Sequence, residues 1–333
     1  MILIDALYIN GGGGKVLLDN LVSELESRDV EVLILIDKRI ENNPFYAGLK
    51  NRVIFMEAGL RNRKEFYKAN ESKFNAVLCF GNLPPSRRLS AKVYTYFHQP
   101  LYLKIPENFS LKNKFLYNLK VFILRRLMKN TDFWLVQSDL IKSQFQKKYK
   151  VSNVKVLPFY PPLKNEGETM RIENTYLYVS NATPHKNHKY LIDAFCQFFD
   201  QKQTGTLILT VSEDYPETMQ LIDQKIAQGY PIENIGFVNR DQLAKVYAGA
   251  EFLIFPSLTE SFGLGLVEAI DLGCKVIAAD LPYTYAVCEP SLTFNPHQVQ
   301  SIVDALSLSL QKDVKPSVNK VPNQIDELIA LLQ

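Results

Sequence analysis

Short, continuously apolar runs recur along this chain with helix-patterned stretches between them, and that alternation restricts it to few folds. Met1 to Leu7, Glu31 to Asp37, Arg52 to Met56, Ala76 to Phe80, Val93 to Phe97 and Phe133 to Val136 are too uniformly apolar for strands with one wet face. Strands covered on both faces read this way, and parallel sheets flanked by helices produce them. Between the first two runs, Lys15 to Ser27 places Val16, Leu17, Leu21, Val22 and Leu25 on one helical face, with Asp19, Glu24 and Glu26 elsewhere. A strand, helix, strand unit opens the chain.

The rhythm continues to Val154 to Phe159 and then meets Pro158, Pro161, Pro162 and a polar stretch, Lys164 to Asn174. Prolines interrupt regular structure, so a domain boundary is expected here. Beyond it come Thr175 to Ser180, a helix from about His188 to Gln201, Thr206 to Val211, a helix near Thr218 to Gln228, then Ile235 to Val238, Phe252 to Phe255 and Cys274 to Ala279. The chain of 333 residues is long enough for two cores. The expected fold class is therefore α/β, with two doubly wound, Rossmann-like parallel-sheet domains facing across a cleft. The expected domains are residues 1–162 and 163–333, with the last helix a candidate to pack back on the first domain. Ligands in such folds lie beyond the carboxyl ends of the strands, so chemistry is sought there.

Composition bounds the partners. The chain is 47% apolar and 22% charged, that of an ordinary globular protein. Its net charge of +3 conceals a division: up to Leu163 there are 26 Lys and Arg against 14 Asp and Glu, and beyond it 12 against 21. The basic half is suited to an anionic membrane, nucleic acid or ligand. Cys79, Cys196, Cys274 and Cys288 have no metal-like spacing and sit among apolar neighbours, so they read as reduced and structural. The opening MILIDALYIN lacks the pattern of a signal peptide, and no run is long enough to span a bilayer. A cytoplasmic location is expected.

The sharpest local signal runs from Pro256 to Ala269, with Glu260 and Glu268 framing a turn that contains Gly263 and Gly265. It lies between a buried strand and a helix. Glycines there let backbone N–H groups approach an anion at the positive end of the new helix, and Gly273 is placed to cap that helix. A second element, Ser180-Asn181-Ala182-Thr183-Pro184-His185-Lys186-Asn187-His188, follows the first strand of the second domain and precedes a helix. Lys186 can address a diphosphate from that position. His185 and His188 could form a metal pair, but no Cys or carboxylate completes the spacing, so no metal is expected.

A third element, Asn10-Gly11-Gly12-Gly13-Gly14-Lys15, is a glycine loop between the first strand and first helix. It is not a P-loop, because Ile9 and Val16 stand at two of that motif's fixed positions. An NAD-dependent oxidoreductase is the rival enzyme class: Gly11 and Gly13 are two apart, and Asp37 ends the second strand where a ribose-binding acid would sit. Val16 at the third glycine position counts against it. A fourth element is the run from Tyr94 to Pro100, which ends a buried strand at His98.

These elements resemble, in their order along most of the chain, the family 4 glycosyltransferases of the GT-B fold. That family is marked by a Glu, seven residues and a second Glu around an FGLP-like turn, and Glu260 and Glu268 have this spacing. The resemblance implies a retaining transfer from a nucleotide diphosphate sugar, UDP or GDP, which is a substrate rather than a cofactor. It implies that Glu260 reaches donor-sugar hydroxyls and that Phe262, Gly263, Leu264 and Gly265 offer backbone N–H groups to sugar and phosphate. Glu268 would accept bonds from the ribose. Lys186 would hold the diphosphate, Gly12, Gly13 and Gly14 would lie near donor phosphate and acceptor, and His98 would lie near the transferred sugar. Two departures stand out: Gly265 replaces a common Pro, and Asn181 replaces the usual Arg. The second departure supports an alternative, an inactive nucleotide-sugar-binding module.

Such small family members commonly serve bacterial surface polysaccharide synthesis, with a glycan or lipid-linked acceptor. Between Leu101 and Asn130 there are seven Lys or Arg and one acid, Glu107, interleaved with Phe115, Leu116, Leu119, Phe122, Ile123 and Leu127 at helical spacing. This segment reads either as an amphipathic helix on an anionic membrane or as a core helix with a solvated basic face. In the first case the chain is peripheral on the inner face of the cell membrane. No recognition motif points to nucleic acid.

Overall fold

The computed structural model describes residues 1–105, 109–164, 167 and 169–333. It divides into two units, Met1–Pro161 with Pro322–Gln333, and Pro162–Val321. Both are parallel α/β structures, as the doubled strand and helix rhythm implied.

The first unit contains, in chain order, β1 (Ile2–Ala6), α1 (Gly12–Glu26), β2 (Val32–Asp37), β3 (Arg52–Met56), α2 (Leu60–Asn70), β4 (Ala76–Cys79), β5 (Lys92–Phe97), α3 (Leu111–Leu127), β6 (Phe133–Val136), α4 (Asp139–Tyr149) and β7 (Val154–Val156). The sheet order is β3-β2-β1-β4-β5-β6-β7, every pairing parallel. β1 and β2 are buried throughout because helices cover both faces of the sheet. Under β1 lies a buried ion pair: Arg63 of α2 donates from Nε to Asp5 Oδ2 at 2.7 Å and from its terminal nitrogens to the carbonyls of Leu83 and Pro84, each at 2.7 Å. Tyr67 donates to the same carboxylate oxygen at 2.5 Å. A buried charge pair of this kind persists because its remaining lone pairs and protons are satisfied.

The second unit contains β8 (Ile172–Tyr178), α5 (His188–Lys202), β9 (Thr206–Leu209), α6 (Pro216–Ala227), β10 (Ile232–Asn234), α7 (Arg240–Gly249), β11 (Ala250–Phe255), α8 (Leu264–Asp271), β12 (Lys275–Ala279), α9 (Pro282–Val287), β13 (Cys288–Glu289), β14 (Leu292–Phe294), α10 (Val299–Ser309) and β15 (Val318–Asn319). Its parallel sheet has the order β10-β9-β8-β11-β12-β14, and β13 and β15 form a small antiparallel pair. The chain then returns to the first unit as α11 (Ile325–Leu332), whose Leu328, Ile329 and Leu332 are buried.

Two expected elements are displaced. The strand expected at Ile235–Val238 lies upstream as β10, Ile232–Asn234. There the Asn234 side chain, bonded to both N and O of Val211, replaces the next backbone rung, and Gly236 at φ +69° turns the chain away. The glycine loop is shorter than expected, since Gly12, Gly13 and Gly14 form the first turn of α1. No side chain caps this turn, so its first N–H groups, which have no intrahelical partners, are left for solvent or a ligand. All four cysteines are buried and unbridged. Among the described residues, no helix is long and apolar enough to cross a membrane.

Candidate functional site

Each unit has a topological switch point, and the sequence-predicted residues collect at the two of them. In the second unit, the winding reverses between β8 and β11, and the loops leaving their carboxyl ends diverge over a shared crevice. These loops are stitched together: Leu258 N donates to His185 O at 2.8 Å, and Asn187 Nδ2 donates to the carbonyls of Pro256 and Pro296 at 3.3 and 2.8 Å. Tyr178 OH donates to Lys186 O at 2.8 Å, and Tyr283 OH to Ser257 O at 2.6 Å. Asn187 takes the left-handed conformation (φ 62°) that ends the Pro184–Lys186 turn and starts α5, so the lysine backbone is fixed on both sides.

The consequence is a direct contact between two residues 74 positions apart. Lys186 donates from Nζ to Glu260 Oε1 at 2.6 Å, with side chains 18% and 12% exposed. Phe262 is buried below the turn, and Gly263 at φ +81° sets the angle at which α8 leaves it. No side chain caps α8, which leaves its first N–H groups available at the end of the helix that favours negative charge. Gly265 faces Tyr247 and Phe255: an added Cβ would stand 3.2 Å from Tyr247 Oη and 3.4 Å from Phe255 Cε2. Close packing against these rings accounts for a small residue at this departure from the family pattern.

Glu268 is 5% exposed and held by two residues that spacing did not reveal. Arg240, at the start of α7, donates from Nη1 to Oε1 at 2.7 Å, and Tyr247 donates from its hydroxyl to Oε2 at 3.3 Å. Burial pushes the Glu268 carboxyl above its ordinary value, and Arg240 opposes that rise. Arg240 precedes Glu268 by 28 residues on another helix, so no periodicity or motif links them. Asn181 is exposed, its carboxamide oxygen accepting from Thr183 Oγ1 at 3.4 Å. His185 Nδ1 lies 3.3 Å from Thr183 Oγ1. The His188 ring is buried against Tyr178, with centroids 4.8 Å apart, and neither ring nitrogen has a hydrogen-bond partner among the described residues.

In the first unit the switch point lies between β1 and β4. His98 leaves β5 beside it. Its backbone N–H donates to Asn82 Oδ1 at 2.7 Å, and its Nε2 lies 2.9 Å from Phe80 O. A carbonyl can only accept, and its contact is shorter than the 3.4 Å approach of Asn82 Nδ2 to the same nitrogen, so the proton is assigned to Nε2 and Nδ1 is the acceptor. Burial lowers the affinity of this imidazole for a second proton, so it is neutral at pH 7. Nδ1 and Cε1 face Gly14, where an added Cβ would come within 2.9 Å of Cε1 and 3.4 Å of Nδ1. Gly11, Gly12 and Gly13 have open space beside them. The glycine turn and His98 are thus neighbours. Asn82, which sets the histidine backbone, gave no signal in sequence.

Asp37, the acid on which a nicotinamide reading depends, is 1% exposed. It accepts from Arg39 N and Nε through Oδ1 and from Arg39 Nη2 through Oδ2, at 3.0, 2.9 and 2.5 Å. Its oxygens are committed to capping the turn that follows β2 rather than presented to a ribose.

Comparison with known proteins adds an independent finding. Residues 164–324 match the family Glycosyl transferases group 1. O-antigen chain mannosyltransferase B of Escherichia coli is 28% identical over 141 residues, 41% of this chain and 37% of that protein. O-antigen chain mannosyltransferase RfbU of Salmonella typhimurium (strain LT2) is 25% identical over 188 residues, 56% of this chain and 53% of that protein. The chain spans about half or less of the length of these curated relatives. The solved structure of a sucrose-phosphate synthase from Thermosynechococcus elongatus is similar with a TM-score of 0.71 at 18% identity, covering 100% of this chain and 94% of that one. The likeness in fold therefore extends over both units, and the architecture is GT-B.

Proposed function

We propose that this chain, whose residues 164–324 match the family Glycosyl transferases group 1, is a retaining glycosyltransferase. It moves a sugar from a UDP or GDP diphosphate sugar onto a glycan or lipid-linked acceptor, in bacterial surface polysaccharide synthesis at the inner face of the cell membrane. The two O-antigen mannosyltransferases among its relatives support the surface-polysaccharide setting. The reading needs no cofactor and no metal.

The observation that carries it is the Lys186–Glu260 pair at the ends of adjacent strands, beside the uncapped start of α8. A sugar diphosphate offers each partner a better one. Diphosphate oxygens replace the carboxylate on Lys186 Nζ, and Glu260, released, accepts hydrogen bonds from sugar hydroxyls. As the glycosidic bond to the diphosphate breaks, negative charge grows on the departing oxygen, where Lys186 and the first N–H groups of α8 stabilise it. The acceptor hydroxyl attacks from the face the diphosphate leaves and gives its proton to that diphosphate, so no protein nucleophile is required. Glu268, oriented by Arg240 and Tyr247, accepts from the ribose hydroxyls. His98, neutral and with Nδ1 unprotonated, acts on the transferred sugar as an acceptor, not as an acid.

The test combines binding and turnover. Thermal melts with UDP, GDP, ADP and NAD are expected to show stabilisation by a nucleoside diphosphate, about 2.7 kcal/mol at ~100 times the dissociation constant. Glu260→Gln and Lys186→Ala are expected to lose about two to three orders of magnitude in transfer while melting like the native chain. Undiminished transfer in both variants would refute the assignment.

A further inference from the structure

α3 carries an apolar face that the fold does not use. The helix is anchored by Leu124, which enters a core cluster with Phe97, Trp134 and Phe145, and by Val121, which is buried on the same side. Around the opposite side, Leu111 is 85% exposed, Phe115 73%, Phe122 54%, and Leu119 and Leu116 close to half. At about 100° per residue, Leu111, Phe122, Phe115 and Leu119 fall within an arc of about 80°, with Leu116 beyond it. Isolated exposed apolar residues are ordinary, but five on one 17-residue helix form a patch that marks an interaction surface.

The charges identify what that surface meets. α3 contains Lys112, Lys114, Lys120, Arg125 and Arg126 and no acid. By the same rotation, Arg126 lies inside the apolar arc and Lys112 just beyond it, between Leu119 and Leu116, while Arg125 and Lys120 border the wider face that includes Leu116. A second copy of this chain is disfavoured, because a two-fold contact through α3 would press these cations against their own equivalents. Nucleic acid would meet the cations but would leave phenylalanines and leucines at the centre of the contact. An anionic bilayer satisfies both, with rings and aliphatic chains entering the acyl boundary and Lys and Arg meeting the headgroups.

Position gives the contact a purpose. α3 connects the parallel neighbours β5 and β6, so it runs back against the strand direction, and its amino end lies toward the carboxyl edge of the first sheet. Leu111 and Phe115, the most exposed of the five, are at that end. His98 and the glycine turn are at the same edge of the same unit.

We infer that the outward face of α3, with Leu111, Phe115, Leu119 and Phe122 at its centre and Lys112, Lys120, Arg125 and Arg126 around them, docks the chain on an anionic lipid bilayer. The bilayer then lies beside the His98 edge of the first unit. The inference extends the proposed function by naming the surface from which a lipid-linked acceptor is met, and it rests on that reading for its purpose alone.

Vesicle flotation with the full chain tests it. Phosphatidylcholine vesicles containing phosphatidylglycerol are expected to carry the native chain at moderate salt, and pure phosphatidylcholine vesicles at least tenfold less. Lys112→Glu and Arg126→Glu should each lower partition by roughly fivefold or more, and Phe115→Ser with Phe122→Ser by roughly tenfold or more. All variants should keep the thermal shift given by the nucleoside diphosphate, which reports the second unit. Loss of that shift in the native chain would sink the transferase reading and leave docking standing. Absence of native binding to the anionic vesicles, or binding unchanged by the Phe115→Ser, Phe122→Ser pair, would overturn the docking surface. So would a native dimer in sedimentation that this pair converts to monomer without any change in flotation.

Discussion

At the scale of single residues, the glycines of α1 separate ligand space from structural need. Gly13 has nothing within 4 Å of where a Cβ would be, and its backbone is not in the left-handed region. For the folded chain alone, alanine there is the better helix former by about 0.5–1 kcal/mol. Gly13→Ala is therefore expected to melt at or above the native temperature while losing acceptor or donor affinity, read as a rise in KM. Gly14→Ala should behave differently, because its methyl group would push His98 off Phe80 O. There kcat should fall, with stability reduced by about 1–3 kcal/mol from overpacking. Equal effects at the two positions would contradict this division. Glu268 offers a pH test. Burial raises its folded-state pKa, so the native state holds a proton more firmly than the unfolded one, and its contribution to stability falls as pH rises through that window. Removing Arg240 removes the group that opposes the rise. Arg240→Ala should lose about 2 kcal/mol in urea melts at pH 8, a discounted figure because Arg240 is 31% exposed, and clearly less at pH 5. The Glu260 and Glu268 spacing was legible because both carboxylates sit on one continuous turn and helix. Arg240, Tyr247 and Asn82 were not, since the folding of separate segments brings them in.

At the scale of elements, the strands were the most legible parts, because burial on both faces leaves little choice of residue. Val32 to Asp37 is buried at every position, and its run in the sequence carried the same message. Where side chains replace backbone rungs the signal fails, as at Asn234, and the expected strand slipped downstream. α11 belongs to the first unit although the second unit separates it from the rest of that unit in sequence. Gln324 N donates to Pro158 O at 2.9 Å, Asn323 Nδ2 donates to Tyr160 O at 2.7 Å, and Asp326 pairs with Arg28 of α1. With Leu328, Ile329 and Leu332 buried at about 1.5–3 kcal/mol each, the helix contributes an amount comparable to the whole stability of a typical domain. Deleting residues 322–333 should thus unfold or aggregate the first unit. Limited proteolysis would show cleavage spreading through residues 1–161 while fragments of the second unit persist.

At the scale of the whole molecule, the two units have separate sheets and separate cores, so a ligand held by one stabilises that one first. This turns the choice between enzyme classes into a question of location. A nicotinamide cofactor would be held in the first unit, on the glycine turn and Asp37. A nucleoside diphosphate sugar, by the present reading, engages Lys186, the start of α8 and Glu268 in the second. The capture of Asp37 by Arg39 and the pairing of Lys186 with Glu260 both favour the latter. Hydrogen exchange read by mass spectrometry is expected to show slowed amides around residues 181–187 and 260–268 with UDP or GDP, and no change around residues 9–16 or 37–39 with NAD. Protection by NAD at the first unit, with none by any nucleoside diphosphate at the second, would transfer the chain to the oxidoreductases. Protection by a nucleoside diphosphate sugar with no transfer to any acceptor, and no slow hydrolysis of the donor, would instead make it a binding module, in which the loss of the usual Arg at Asn181 is decisive.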